Sequence, residues 1–242
     1  LKGKQLIELR CDDNQISDLS ALCGMPLKHL SCDINKISDL SPLNGMPLER
    51  LTCSVNIISE LSPVKGMPLK FLNCEGNQIS DISVLAGMPL VAFSCTGNKI
   101  SDFSPLRGMP LNSLSASGIP LTGTNADIIS NMQLGSLFFS PETAAQTLLD
   151  SLKNMKSLKS LNSYTPDKFF EIWPDIQAAL QGEKSDLKKY ADEWGGHRYL
   201  LVPIPMSYEK AEEFCRSQGG YLASPSTKEE MNAVMQIAKD RL

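Results

Sequence analysis

The string Gly-Met-Pro-Leu occurs five times, at Gly24–Leu27, Gly45–Leu48, Gly66–Leu69, Gly87–Leu90 and Gly108–Leu111, each start 21 residues after the last. Two further columns keep that step: Cys11, Cys32, Cys53, Cys74 and Cys95, and Asn14, Asn35, Asn56, Asn77 and Asn98. Chance does not align three columns in one register. A period of this length marks a solenoid, in which each unit buries its apolar face against its neighbours in the stack.

Each unit reads L-x-x-L-x-C-x-x-N-x-I, as at Leu27, Leu30, Cys32, Asn35 and Ile37; the unit at Leu90 carries Phe93 in the second position. Leu30 and Cys32 are two apart and point to one face of a short strand, while Ser31 and Asp33 point to the other. Ile37, Leu40 and Leu43 recur every three residues, which suits a tight 3₁₀ return segment on the same core. Ser41-Pro42 reads as a cap followed by a proline in the first turn, repeated at Ser62-Pro63 and Ser104-Pro105. Gly-Met-Pro turns the chain back to the next strand. The Asn column is expected to be buried at a bend, its amides satisfying backbone groups of adjacent coils.

After Leu111 the pattern decays: Ala116 stands in the Cys column and Ile119 in the Asn column. Leu134–Phe139 and Leu158–Ser163 still read as strand cores, so eight are expected, starting at residues 6, 27, 48, 69, 90, 111, 134 and 158. Between the last two, Ala145, Leu148, Leu149 and Leu152 have helical spacing. Leu1 aligns with Leu22, so the array starts mid-repeat, and further sequence is expected upstream. Residues 167–180 read as an apolar helix, interrupted or restarted at Pro174, and 181–193 as a charged linker helix or tether. Beyond lies a strand at 194–202, a helix from Ser207 to Ser217, a turn at Gly219-Gly220 and a last helix over 227–242. The expected organisation is a solenoid over 1–165, a helical cap and linker over 166–193 and a small C-terminal segment over 194–242.

These motifs resemble the leucine-rich repeat over roughly residues 1–165, and the short unit with I-S-D-L-S-P-L resembles bacterial SDS22-like or internalin-like forms. The resemblance implies an α/β solenoid: a curved parallel sheet with a 3₁₀ and helical outer side. It also implies a protein or peptide ligand on the concave strand face. Arrays with G-M-P-L turns look like those of planctomycete-type multidomain proteins, some joined to a serine/threonine kinase. A sensing or docking region of a larger bacterial enzyme is therefore the alternative reading. From residue 194 the order His197, Tyr199, Ser207, Ala211, Cys215, Gly219, Gly220, Leu222, Ala223, Ser226 and Glu230 resembles the opening half of a C-type lectin-like domain. That family's calcium and sugar motifs lie in a second half with no counterpart in this sequence, so no such site carries over. Glycan binding through this end is a further alternative.

The charge balance narrows the partners. Lys and Arg number 23 against 27 Asp and Glu, a net charge of −4, so no basic excess forms a phosphate footprint and nucleic acid is not expected. The apolar runs are a few residues long, as at Leu200-Leu201-Val202, and no membrane span is expected. The sequence has no P-loop, G-x-S-x-G or zinc-protease motif. The reading is non-enzymatic, with no cofactor and no metal.

The cysteine column reads as buried free thiols acting as small hydrophobes, with Cys23 outside it on the outer surface. Unpaired thiols favour a cytoplasmic setting, with an extracellular one left open. Met25, Met46, Met67, Met88 and Met109 read as core. The Ser-Asp pairs read as caps, and Asp12-Asp13 as a solvated face. The binding candidates are the outward residues of the early coils: Arg10, Asp12, His29, Asp33, Arg50, Phe71, Asn73 and Glu75. Charge, imidazole, guanidinium and an exposed aromatic make hot spots, whereas the later rows are small.

Overall fold

The computed structural model describes residues 5–183, 185–194, 197–202, 204, 206, 208–223, 227–229 and 231–232. The expected roles of Leu1, Ser207, Ser226 and Glu230, and of residues 233–242 in a last helix, lie outside these residues.

Alternation decides the strands. β1 (Glu8–Arg10), β2 (His29–Ser31), β3 (Arg50–Thr52), β4 (Phe71–Asn73), β5 (Ala92–Ser94), β6 (Ser113–Ser115) and β7 (Ser136–Phe138) each turn their middle residue inward. They stack in chain order as parallel neighbours. Leu9 pairs with Leu30, Leu30 with Leu51, Leu51 with Leu72, Leu72 with Phe93 and Phe93 with Leu114, so the 21-residue period becomes the register. The Met column and the leucines ahead of β2 to β7 are buried, as the spacing required, while Leu6 ahead of β1 is half-buried.

The return segments are single 3₁₀ turns at Ser20–Leu22, Ser41–Leu43, Ser62–Val64, Ser83–Leu85 and Ser104–Leu106. The Ser-Asp pairs cap these turns as expected, through the aspartate two residues ahead, and the serine that begins each turn is not the acceptor that the Ser-Pro reading made it. Asp39 accepts the Ser41 N–H at 2.7 Å and the Ser41 hydroxyl at 2.7 Å, and Asp18, Asp81 and Asp102 repeat the arrangement. A carboxylate is the stronger acceptor, and the serine hydroxyl is left to donate. These two bonds hold the Asp39 carboxyl below the usual carboxylate range. Gly24, Gly45, Gly66, Gly87 and Gly108 close each turn at φ of +71 to +73°, where a side chain would be strained.

The chain divides into two compact units, residues 1–157 and 158–242. In the first, 3₁₀ returns give way after β6 to helices α1 (Gly123–Ser130) and α2 (Gln146–Lys153). α2 buries Leu148, Leu149 and Leu152, three of the four positions that the spacing singled out, while half-buried Ala145 is its cap; α1 is not signalled by the spacing.

The second unit opens with the eighth strand core, β8 (Ser160–Leu161), which bridges back to Tyr164. α3 (Pro166–Leu180) runs through Pro174 without interruption. Buried Phe169, Ile172, Trp173 and Ile176 hold its face, and the Phe169 and Trp173 rings stack at 5.8 Å. Residues 181–193 are not a linker helix. A 3₁₀ turn at Leu187–Tyr190 buries both of those residues, and the Tyr190 hydroxyl donates to Asp175 at 2.6 Å. The single strand expected over 194–202 is instead an antiparallel pair, β9 (Asp192–Trp194) and β10 (His197–Tyr199). α4 (Tyr208–Ser217) buries Phe214 and is closed by the Gly220 N–H donating to the Cys215 carbonyl at 2.8 Å.

Candidate functional site

The strand face collects its side chains by register. Glu8, His29, Arg50 and Phe71 occupy equivalent positions on β1 to β4 and form one row across the sheet. The Arg50 guanidinium lies over the Phe71 ring, 3.7 Å from its centroid. Arg50 stays exposed, whereas Phe71 is half-buried rather than fully exposed, since the guanidinium covers one side of it. Such a pair contributes about 0.5–1 kcal/mol and holds both side chains in one arrangement. At the other end Glu8 meets two basic side chains, with Arg10 Nε at 2.9 Å and His29 Nδ1 at 3.9 Å.

The acids of the next columns are partly consumed by the fold. Asp12 is half-buried, not a solvated face: its Oδ1 accepts the Ser31 hydroxyl at 2.7 Å and the Asp33 N–H at 2.8 Å. Asp33 in turn accepts the Ser54 N–H at 2.6 Å. Each carboxylate thus ties its coil to the next. Asn73 accepts the Glu75 N–H at 3.1 Å. Half-burial pushes the Glu75 carboxyl up, and the charge of Asp33 adds to it. Among the described residues none of Asp12, Asp33 and Glu75 forms an ion pair with a basic side chain. Thr52 and Ser117 are buried; Thr52 bonds to the Ser31 hydroxyl at 2.8 Å.

The two ladders lie behind this face. Asn56 is representative: its Oδ1 accepts the Ile37 N–H at 2.9 Å, and its Nδ2 donates to the carbonyls of Cys32, Cys53 and Ser54 at 3.0, 3.1 and 3.1 Å. Asn35, Asn77 and Asn98 repeat the pattern. Asn14 is exposed and, among the described residues, its side chain bonds within its own coil, to the Cys11 and Asp12 carbonyls. Past the last ladder asparagine, Asn125 of α1 takes over, accepting the Phe103 N–H at 2.9 Å and donating to Ser101 at 3.0 Å. No spacing rule could find it, because it follows Asn98 by 27 residues. Cys32, Cys53, Cys74 and Cys95 are buried free thiols, Cys11 is partly buried, and Cys23 is exposed. Burial pushes the Cys53 and Cys74 thiols far up, so they stay protonated.

One column was passed over in the sequence: Asp13, Ile34, Val55, Gly76, Gly97 and Gly118. All six sit at positive φ, Asp13, Ile34 and Val55 at +54, +54 and +52°. The three glycines in the column were the available signal. A β-branched residue in this region is an outlier costing about 1–3 kcal/mol. Ile34 and Val55 are nonetheless 50% and 54% exposed, and Ile57, two residues on, is 52% exposed.

Among the described residues no group of three or more His, Cys, Asp or Glu is placed to hold a metal ion, and no helix is long and apolar enough to cross a membrane.

Residues 204–241 match the family model described as the lectin C-type domain. Among solved structures, an internalin (inlF) from Listeria monocytogenes is similar with a TM-score of 0.54 and 25% identity, over 64% of this chain and 47% of that one. An internalin C2 from the same species gives a TM-score of 0.42 and 26% identity, over 56% of this chain and 71% of that one. The chain spans about half the length of the first of these. No curated protein matches the chain.

Proposed function

We propose that this leucine-rich-repeat solenoid is a non-enzymatic scaffold that binds a protein or peptide on its strand face, over β1 to β4. The observation that carries the reading is the Arg50–Phe71 pair, a cation resting on an aromatic ring on an outward sheet face. Neither side chain fills the core, so the fold has no need of them, whereas aromatic and arginine side chains dominate binding energy at interfaces. Parallel strands in one register hold the pair rigidly, so little conformational entropy is lost when a ligand docks. The rows on β5 and β6 carry Ala92, Ser94, Ser113 and Ser115, which offer hydrogen bonds but little area to desolvate.

Random peptides displayed on phage and selected on the intact chain supply the probe. Arg50→Ala with Phe71→Ala should weaken the selected peptides by about 2 kcal/mol, roughly 30-fold. Ser94→Ala with Ser115→Ala should change binding by less than about threefold. Circular dichroism of both variants should match the parent. Selection that yields no binder, or a larger effect from the serine pair, refutes the strand face as the site.

The match to the lectin C-type domain favours a second reading, glycan binding by the C-terminal segment. Retention on immobilised mannan or galactan, lost on deleting residues 204–242, would support it.

A further inference from the structure

The bend that follows each strand carries the feature least explained by folding. Its left-handed position is filled by glycine in the later coils, at Gly76, Gly97 and Gly118, and by Ile34 and Val55 in two consecutive early ones. Glycine is the unstrained solution, and the same chain uses it three times. The two side chains are not repaid by burial, since half of each is in water. They are stacked in register: the Ile34 N–H donates to Ser54 O at 2.8 Å and the Val55 N–H to Glu75 O at 2.8 Å. A Cβ placed on Gly76 would stand 3.5 Å from Val55 Cγ2, so a side chain at one bend position reaches the next. Ile57 extends the apolar surface within the third bend. The result is a short apolar ridge along the rim of the sheet, built at a cost in backbone strain.

Its electrostatic setting is one-sided. Across the four bend segments 12–15, 33–36, 54–57 and 75–78, Asp12, Asp13, Asp33 and Glu75 face a single base, Lys36. Asp33 and Glu75 flank Ser54 in the column next to the ridge, and they repel one another. A cation brought beside them offsets both that repulsion and the cost of holding Glu75 charged while half-buried, whereas an anionic ligand would add to the repulsion.

We propose that the ridge of Ile34, Val55 and Ile57 is a docking rim for a basic peptide segment of a partner protein, one that lays an apolar side chain on the ridge and a Lys or Arg against Asp33 and Glu75. This inference rests on the strand-face reading and deepens it: Arg50 and Phe71 hold one part of the ligand, and the rim selects its charge and anchors its edge.

Peptides selected on the intact chain should be enriched in Lys or Arg next to Leu, Ile or Phe. Ile34→Gly with Val55→Gly should weaken them at least roughly tenfold while the melting temperature stays level or rises, because glycine removes the strain. Asp33→Asn with Glu75→Gln should weaken them about fivefold and flatten the salt dependence of binding, as loss of an attraction between opposite charges requires. Peptides that need Arg50 and Phe71 but are indifferent to the glycine variant overturn the rim and leave the strand-face reading standing. Peptides indifferent to both refute the two together. A glycine variant that melts lower shows a packing role for the ridge and overturns the proposal. So does a chain that sediments as a dimer only when Ile34 and Val55 are present, since the occupant is then a second copy.

Discussion

At the scale of single residues the molecule depends on amides and carboxylates that no regular ladder could replace. A bend between strand and return segment leaves carbonyls pointing into the stack, where water does not reach, and Asn56 satisfies three of them while accepting an N–H. Asn56→Ala leaves the Ile37 N–H without its acceptor and takes one of two donors from each carbonyl, the other donors being Asn35 Nδ2 on Cys32, Asn77 Nδ2 on Cys53 and the Ile34 N–H on Ser54. It should lower stability by about 1–3 kcal/mol, the range for a buried group left unpaired, as measured by urea unfolding. Asn14→Ala should cost less than about 1 kcal/mol, because Asn14 is exposed and its carbonyl partners can turn to water. Equal losses at the two sites would mean that the ladder does not act through burial. The Asn column could be read from periodicity because its role needs one residue type at one step. The strain at Ile34 and Val55 was harder to read, since hydrophobicity at those positions gives no sign of φ.

Among the elements, α3 shows burial overriding a local breaker. Pro174 removes an N–H and crowds the carbonyl of Phe170, which is why an interruption was expected there. Phe169, Ile172, Trp173 and Ile176 lie on one side of the helix and are buried, and that shared face keeps the axis continuous. Pro174 itself is exposed and contributes little packing. Pro174→Ala should therefore stabilise α3 by about 1–3 kcal/mol, part of the proline penalty being offset by a more flexible unfolded chain. Slower amide exchange over residues 166–180 would register the gain; faster exchange would show that the proline is needed where it stands. The β9–β10 pair and the buried turn at Leu187–Tyr190 are the converse case. Their local sequence reads as one strand and a polar tether, and tertiary contacts such as Tyr190 to Asp175 decide otherwise.

For the molecule as a whole, the repeating register makes coils interchangeable. Each contacts only its neighbours, so excising residues 45–65, a whole 21-residue period, should leave a folded chain with one strand fewer and a lower unfolding midpoint. Excising 20 residues instead displaces every later coil by one position and sets Leu72 opposite an outward neighbour, so that chain should fail to fold. Far-ultraviolet circular dichroism and size-exclusion chromatography separate the two outcomes, and equal behaviour would refute the modular stack. The sequence by itself determined the repeat, the positions of all eight strand cores, which side of each strand is inward and the residue types of the Cys, Met and Asn columns. It could do so because a step of 21 residues repeats one set of environments, and each environment selects its residue. Only the tertiary structure decided that Asn125 continues the ladder from a helix, that Arg50 covers Phe71 and that Asp12 is spent on its neighbour. Those depend on which atoms come within about 3–4 Å across coils, a distance set by stacking rather than by spacing along the chain.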